Sequence, residues 1–193
     1  MLPLVEPIAD LLYAAVDHGC EAANDLLPYH RDPWYWSHTA RFHIKDFLHP
    51  RIAEVPSWEL RPNVPNCGIH FSLAGLHPVR LVRSLSQDAP PPGRNRSRRD
   101  AWTNAPQLDL TLGEPEIPLV SLLLDWHLDG NGEPVIHVSI PRGPWAYGSP
   151  VRLHWREVLQ RPSAASVLSL RFAGDDGGDP LLLLVDQSEA TAT

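Results

Sequence analysis

The stretch LVSLLLDWHL (Leu119–Leu128), followed by DGNGE (Asp129–Glu133) and PVIHVSI (Pro134–Ile140), decides the fold. Leu122, Leu124, Trp126 and Leu128 recur at every second position, and Ile136, Val138 and Ile140 answer them. A period of two places each set on one face of a strand. The DGNG run between them has the turn chemistry of a hairpin. An antiparallel pair with one apolar face is therefore expected here.

The same alternation extends outward. Ile69, Phe71 and Leu73 alternate with His70 and Ser72. Gly75 and the His77–Pro78 pair mark a turn. A return strand then carries Val79, Leu81 and Leu85, with Arg80 and Arg83 reaching outward if it bends after Val82. Leu108, Leu110 and Leu112 predict another strand, as do Val151–Arg156, Val167–Phe172 and Leu181–Val185. Before residue 58 the period is that of a helix. Val5–Leu27 carries the stripe Ile8, Leu11, Leu12, Ala15 and Val16, with Gly19 weakening its middle. A second helix is expected over Ser37–Leu48, with Ser37 as its N-cap. Helices first and strands after them give an α+β class: two N-terminal helices packed on a largely antiparallel sheet of about six or seven strands. The expected organisation is a single domain over residues 1–193, helical over 1–57, β-rich over 58–187, with a basic loop at 88–104.

Composition bounds the function. The chain carries a net charge of -7, and Lys45 is its only lysine, against 15 arginines. The acidic balance argues against nucleic-acid binding over the whole surface but leaves room for a local basic site. Cys20 and Cys67 have no CxxC spacing and are expected as free, buried thiols in a cytoplasmic protein. No apolar run reaches the length of a membrane span. GxSxG, Walker and GxGxxG motifs are absent from the sequence.

Three groups of residues are candidates for chemistry. The first is APPPGRNRSRRD at Ala89–Asp100, where Arg94, Arg96, Arg98 and Arg99 form a dense positive cluster. Guanidinium forks suit bidentate anion contacts, and Trp102 is expected to stack on a base. The alternatives are an acidic protein partner, or an exposed connector kept soluble by its charge. The second group is the aromatic edge of Tyr29, Trp34, Tyr35 and Trp36, since such rings are enriched at interfaces. The third is a histidine row. If the turn after Leu128 places Trp126 opposite Val138, His127 faces His137. A symmetric loop at 141–150 adds His154 opposite His137, and Arg152 opposite Ser139. Three imidazoles with an open fourth position are the donor set of a catalytic zinc. The bland alternative is three polar residues on a solvated sheet face.

The segments GIHF (Gly68–Phe71), VRLVR (Val79–Arg83), PGRNRSRR (Pro92–Arg99), LLDW (Leu123–Trp126) and PRGPW (Pro141–Trp145) together resemble a set of small actinobacterial proteins. Those proteins share a proline-glycine turn, a downstream arginine, an L-x-W-D-like strand and a P-x-G-x-W loop. The resemblance covers roughly residues 67–156. It implies a toxin–antitoxin or mobile-element setting and supplies no catalytic residue. The leading expectation is a non-enzymatic interaction module with a protein partner and no cofactor. The alternatives are a metal-dependent hydrolase on His127, His137 and His154, and a nucleic-acid-binding accessory protein using the arginine loop.

Overall fold

The computed structural model describes residues 2–26, 32–93, 96–104 and 120–162, apart from the side chains of 97 and 98. The expected strands at Leu108–Leu112, Val167–Phe172 and Leu181–Val185 lie outside them, as do Tyr29 and Arg94. The described residues all fall within one compact unit.

The N-terminal helix is interrupted once. Helix α1 (Leu2–Val5) passes through a 3-10 turn at Glu6–Ile8 into α2 (Ala9–Leu26). Pro7 sits in that turn and has no N–H to donate. Helix α3 (Pro33–Leu48) starts four residues before the expected Ser37. Asp32 is the cap: its Oδ1 accepts from the backbone N–H of Trp34 at 2.8 Å and of Tyr35 at 3.4 Å. Pro33 is the first helical residue, a position where its missing N–H costs nothing. The Ser37 hydroxyl lies inside the helix and donates back to Pro33 O at 2.7 Å.

Among the described residues six strands follow: β1 (Trp58–Leu60), β2 (Ile69–Leu73), β3 (His77–Arg83), β4 (Leu122–Leu128), β5 (Pro134–Pro141) and β6 (Leu153–Leu159). They form one sheet in sequence order, antiparallel everywhere except between β3 and β4. A parallel pair needs a crossover connection, usually with a helix in it. That crossover contains α4 (Arg96–Thr103), so the expected basic loop is in part a helix.

Each face of the sheet has its own cover. Ile69, Phe71, Val79, Leu81, Leu124, Trp126, Ile136 and Val138 pack in one core with Leu12, Val16, Ile44 and Leu48 of α2 and α3. The Tyr13 hydroxyl ties α2 to the far strands, donating to Leu159 O at 2.7 Å and accepting from Ile136 N at 3.3 Å. On the opposite face Trp102 of α4 packs with Ala89 and Leu123, joined by Val82, Val151 and Leu153.

Arg83 does not reach outward, because β3 runs straight to its end. It pairs with Trp126 on the helix-covered face. Its guanidinium lies 4.3 Å from the Trp36 ring and 5.6 Å from the Trp126 ring, and it donates to the Ser37 hydroxyl. Cys20 is half-buried nearby, and burial pushes its thiol up to about 11 against the pull of Arg83. Among the described residues no helix is long and apolar enough to cross a membrane.

Gly19 lets α2 approach α3 closely. A Cβ there would lie 2.4 Å from Ile44 Cγ1 and 2.6 Å from the Ala40 carbonyl oxygen. Gly19→Ala improves helix propensity by roughly 1 kcal/mol but overpacks by about 1–3 kcal/mol. The net outcome expected in urea denaturation is destabilisation, since the Ala40 carbonyl is backbone and cannot move alone.

Candidate functional site

The histidine row is not formed. The β4–β5 turn is centred on Asn131, because Asp129 Oδ1 accepts from Asn131 N at 2.8 Å and Glu133 N at 2.9 Å. Trp126 therefore faces Ile136, and His137 faces Asp125. This is a two-residue shift from the expected pairing, so His127 and His137 keep a common face but sit diagonally. Their rings stack at 5.4 Å, 14° apart. Between β5 and β6 the register moves further. The loop closes on Pro141 and Leu153, and a bulge at Ile140/Pro141 adds one more residue, so Val158, not His154, lies opposite His137, and Arg156, not Arg152, opposite Ser139. His154 is exposed on β6. Among the described residues no group of three or more His, Cys, Asp or Glu is placed to hold a metal ion.

A buried polar network occupies that part of the sheet. Asp125 is fully buried, and Arg156 Nη2 donates to its Oδ1 at 2.6 Å. Ser139 Oγ donates to Asp125 Oδ2 at 3.1 Å. Burial pushes the Asp125 carboxyl up, and Arg156 pulls it back. The other arm of Arg156 donates to Gln87 O, so the network also holds the start of the crossover. His137 Nδ1 lies 3.8 Å from Asp125, too far for a hydrogen bond. Burial first, then Arg156 and His127, hold the His137 imidazole at about 4. It is neutral at pH 7, so the Asp125 contact is not an ion pair. Ser139 is fully buried and already bonded to Asp125, so this trio presents no nucleophile.

The arginine segment is built differently from the expectation. Trp102 is only 3% exposed, and its Nε1 donates to Pro90 O at 3.1 Å. It anchors α4 and is not available for stacking. Just after it, Asn104 clamps two strands. Its Nδ2 donates to Ser121 O at 3.0 Å and Pro141 O at 2.8 Å, and its Oδ1 accepts from Ser121 N at 2.7 Å. The backbone N–H of Gly143 donates to Thr103 O at 2.9 Å. These bonds hold the 142–152 loop against the end of α4.

That loop brings arginines and aromatics of its own. Arg142 and Arg152 are exposed, joined by a backbone bond of 2.8 Å, and line a cleft of about 490 Å³ with Gly143 and Leu153. A second cleft of about 330 Å³ is lined by Gly93, Arg99, Trp145 and Tyr147. Of the expected cluster, Arg96 and Arg99 are exposed on α4, and Arg94 and the Arg98 side chain lie outside the described residues. Arg96 approaches Asp100 at 3.9 Å with both side chains in solvent, an arrangement that contributes little.

The aromatic edge divides. Trp34 is 64% exposed and Tyr35 51%, joined on the outer face of α3 by Phe42 at 54%. Trp36 turns inward, donating from Nε1 to Asn24 Oδ1 at 2.8 Å and covering Arg83. The chain matches no family model, no curated protein and no solved structure.

The His137 environment sets a pH dependence of stability. The unfolded imidazole takes up its proton near its ordinary 6.5, and the folded one near 4. This contribution is complete above pH 6.5 and is lost as pH falls toward 4. The loss expected is up to about 3 kcal/mol. Urea midpoints across that window should fall more steeply for the parent than for His137→Gln. Parallel curves would contradict the assignment.

Proposed function

We propose that this protein is a non-enzymatic binding module for a polyanion, taken up on the arginine face that α4 shares with the 142–152 loop. The observation that carries this reading is the bond from Gly143 N to Thr103 O. It brings Arg142 and Arg152 alongside the helix that bears Arg96 and Arg99. Four guanidinium groups gathered on a chain of net charge -7 make a local potential opposite to that of the whole molecule. Their planar forks suit phosphate or carboxylate oxygens. The setting implied by the actinobacterial resemblance, beside a toxin–antitoxin pair or a mobile element, suits such an accessory role.

A second reading is a protein partner on the outer face of α3, favoured by the exposure of Trp34, Tyr35 and Phe42. One experiment separates the two. On the first reading, inorganic polyphosphate is retained at low ionic strength and released by salt. The log–log salt slope then falls by about one for each of Arg99→Ser, Arg142→Ser and Arg152→Ser. Replacing Trp34 and Phe42 by alanine leaves the curve unchanged. No retention of polyphosphate, or a loss confined to the Trp34/Phe42 variant, overturns the polyanion reading.

A further inference from the structure

Resting on that reading, we propose that the polyanion is a single-stranded nucleic acid, with a base stacked on Tyr147 beside Trp145 and its phosphates held by Arg99, Arg142 and Arg152. The arginines alone would suit any chain of phosphates or carboxylates. The aromatic pair beside them is what narrows the ligand.

Tyr147 is 83% exposed, so nearly its whole ring faces solvent. It is nonetheless presented by an ordered turn. Trp145 Nε1 donates to Ser149 O at 2.7 Å, and Ser149 returns bonds to Ala146 O from its backbone N–H at 3.1 Å and from its hydroxyl at 2.5 Å. The two rings meet edge to face with centroids 6.0 Å apart, a contact that covers one face of one ring; Trp145 is half-buried and Tyr147 remains open to solvent. Arg99 reaches the same cleft from α4. Among the described residues the cleft is also lined by Gly93, at φ +69, where a Cβ would meet nothing of them within 4 Å. A ligand ring can therefore enter over bare backbone.

The chemistry follows from these parts. A platform of exposed rings beside a track of positive charge is how sequence-tolerant single-strand sites are made, because every base has a π-face. A duplex hides its base faces in its own stack, so it can use the arginines and not the rings. Acidic side chains of a protein would likewise satisfy the guanidinium groups and leave Tyr147 without a role. The Arg142–Arg152 cleft lies on the same loop, and gives the backbone on either side of a stacked base a second pair of cations.

The test is fluorescence anisotropy with a labelled single-stranded DNA of about ten nucleotides, within the usual site size. A duplex of the same length and inorganic polyphosphate serve as comparisons. The single strand should bind more tightly than either. Tyr147→Ala should weaken it about five- to a hundredfold, the loss of one stacked base, and Tyr147→Phe should restore most of it. Trp145→Phe, which removes the Ser149 bond and keeps a ring, should cost less than Trp145→Ala. None of these should change polyphosphate binding by more than about twofold. If polyphosphate binds and the single strand gains nothing from Tyr147, this inference falls and the polyanion reading stands. If neither polyphosphate nor the single strand binds, both fall.

Discussion

The parallel pairing of β3 with β4 is the constraint on which the rest of the molecule depends. Every other pair in the sheet is antiparallel and is closed by a local turn or loop. Only this one obliges the chain to leave the sheet at Arg83 and re-enter it at Leu122 in the same direction. The crossover reaches the face that α2 and α3 leave open, and Trp102 secures it there against Leu123 and Ala89. The arginines of α4 are thereby fixed beside the 142–152 loop, because Asn104 joins the end of α4 to the start of β4 and the end of β5. Topology thus converts a proline-arginine stretch into one wall of a two-walled basic site.

The two faces of the sheet use charge in different ways. Under the helices, Arg83 is half-buried beside the Trp36 and Trp126 rings, which partly offset its desolvation. On the other face, Asp125 is satisfied by Arg156 and Ser139. A buried carboxylate of this kind adds little net stability compared with an apolar core, but it is costly to leave unpaired. It therefore fixes register: sliding β6 by one residue would take Arg156 to the wrong face. The stacked pair His127 and His137 lies beside this network without bonding to it through Nδ1, and His137 is kept neutral at pH 7 by burial and by Arg156.

Much of this was legible from residue patterns, and the failures have identifiable physical causes. Alternation located β2 through β6 and their apolar face, because a period of two depends only on local geometry. The α+β class followed from the order of elements. The second helix was expected from Ser37, but it starts at Pro33 with Asp32 as its cap, a pattern that Asp before Pro can signal. The histidine row failed on turn detail. Asp129 centres its turn on Asn131, and a longer 142–152 loop together with a one-residue bulge displaces β6, and none of these leaves a trace in the strand periodicity. Arg96 and Arg99 stood out as charge. Their neighbours Trp145 and Tyr147 did not, since they join the arginines only through the crossover and the Gly143–Thr103 bond. Trp102 drew attention for the opposite reason: it is adjacent in sequence, yet packing turns it inward.

The central claim is that one site is assembled from two distant segments, α4 and the 142–152 loop. Amide hydrogen exchange during titration with a single-stranded oligonucleotide tests it most directly. The account predicts that residues 96–104 and 142–152 gain protection together, at the same ligand concentration, with α3 unchanged. Protection of only one of these segments, or protection centred on the outer face of α3, would contradict it.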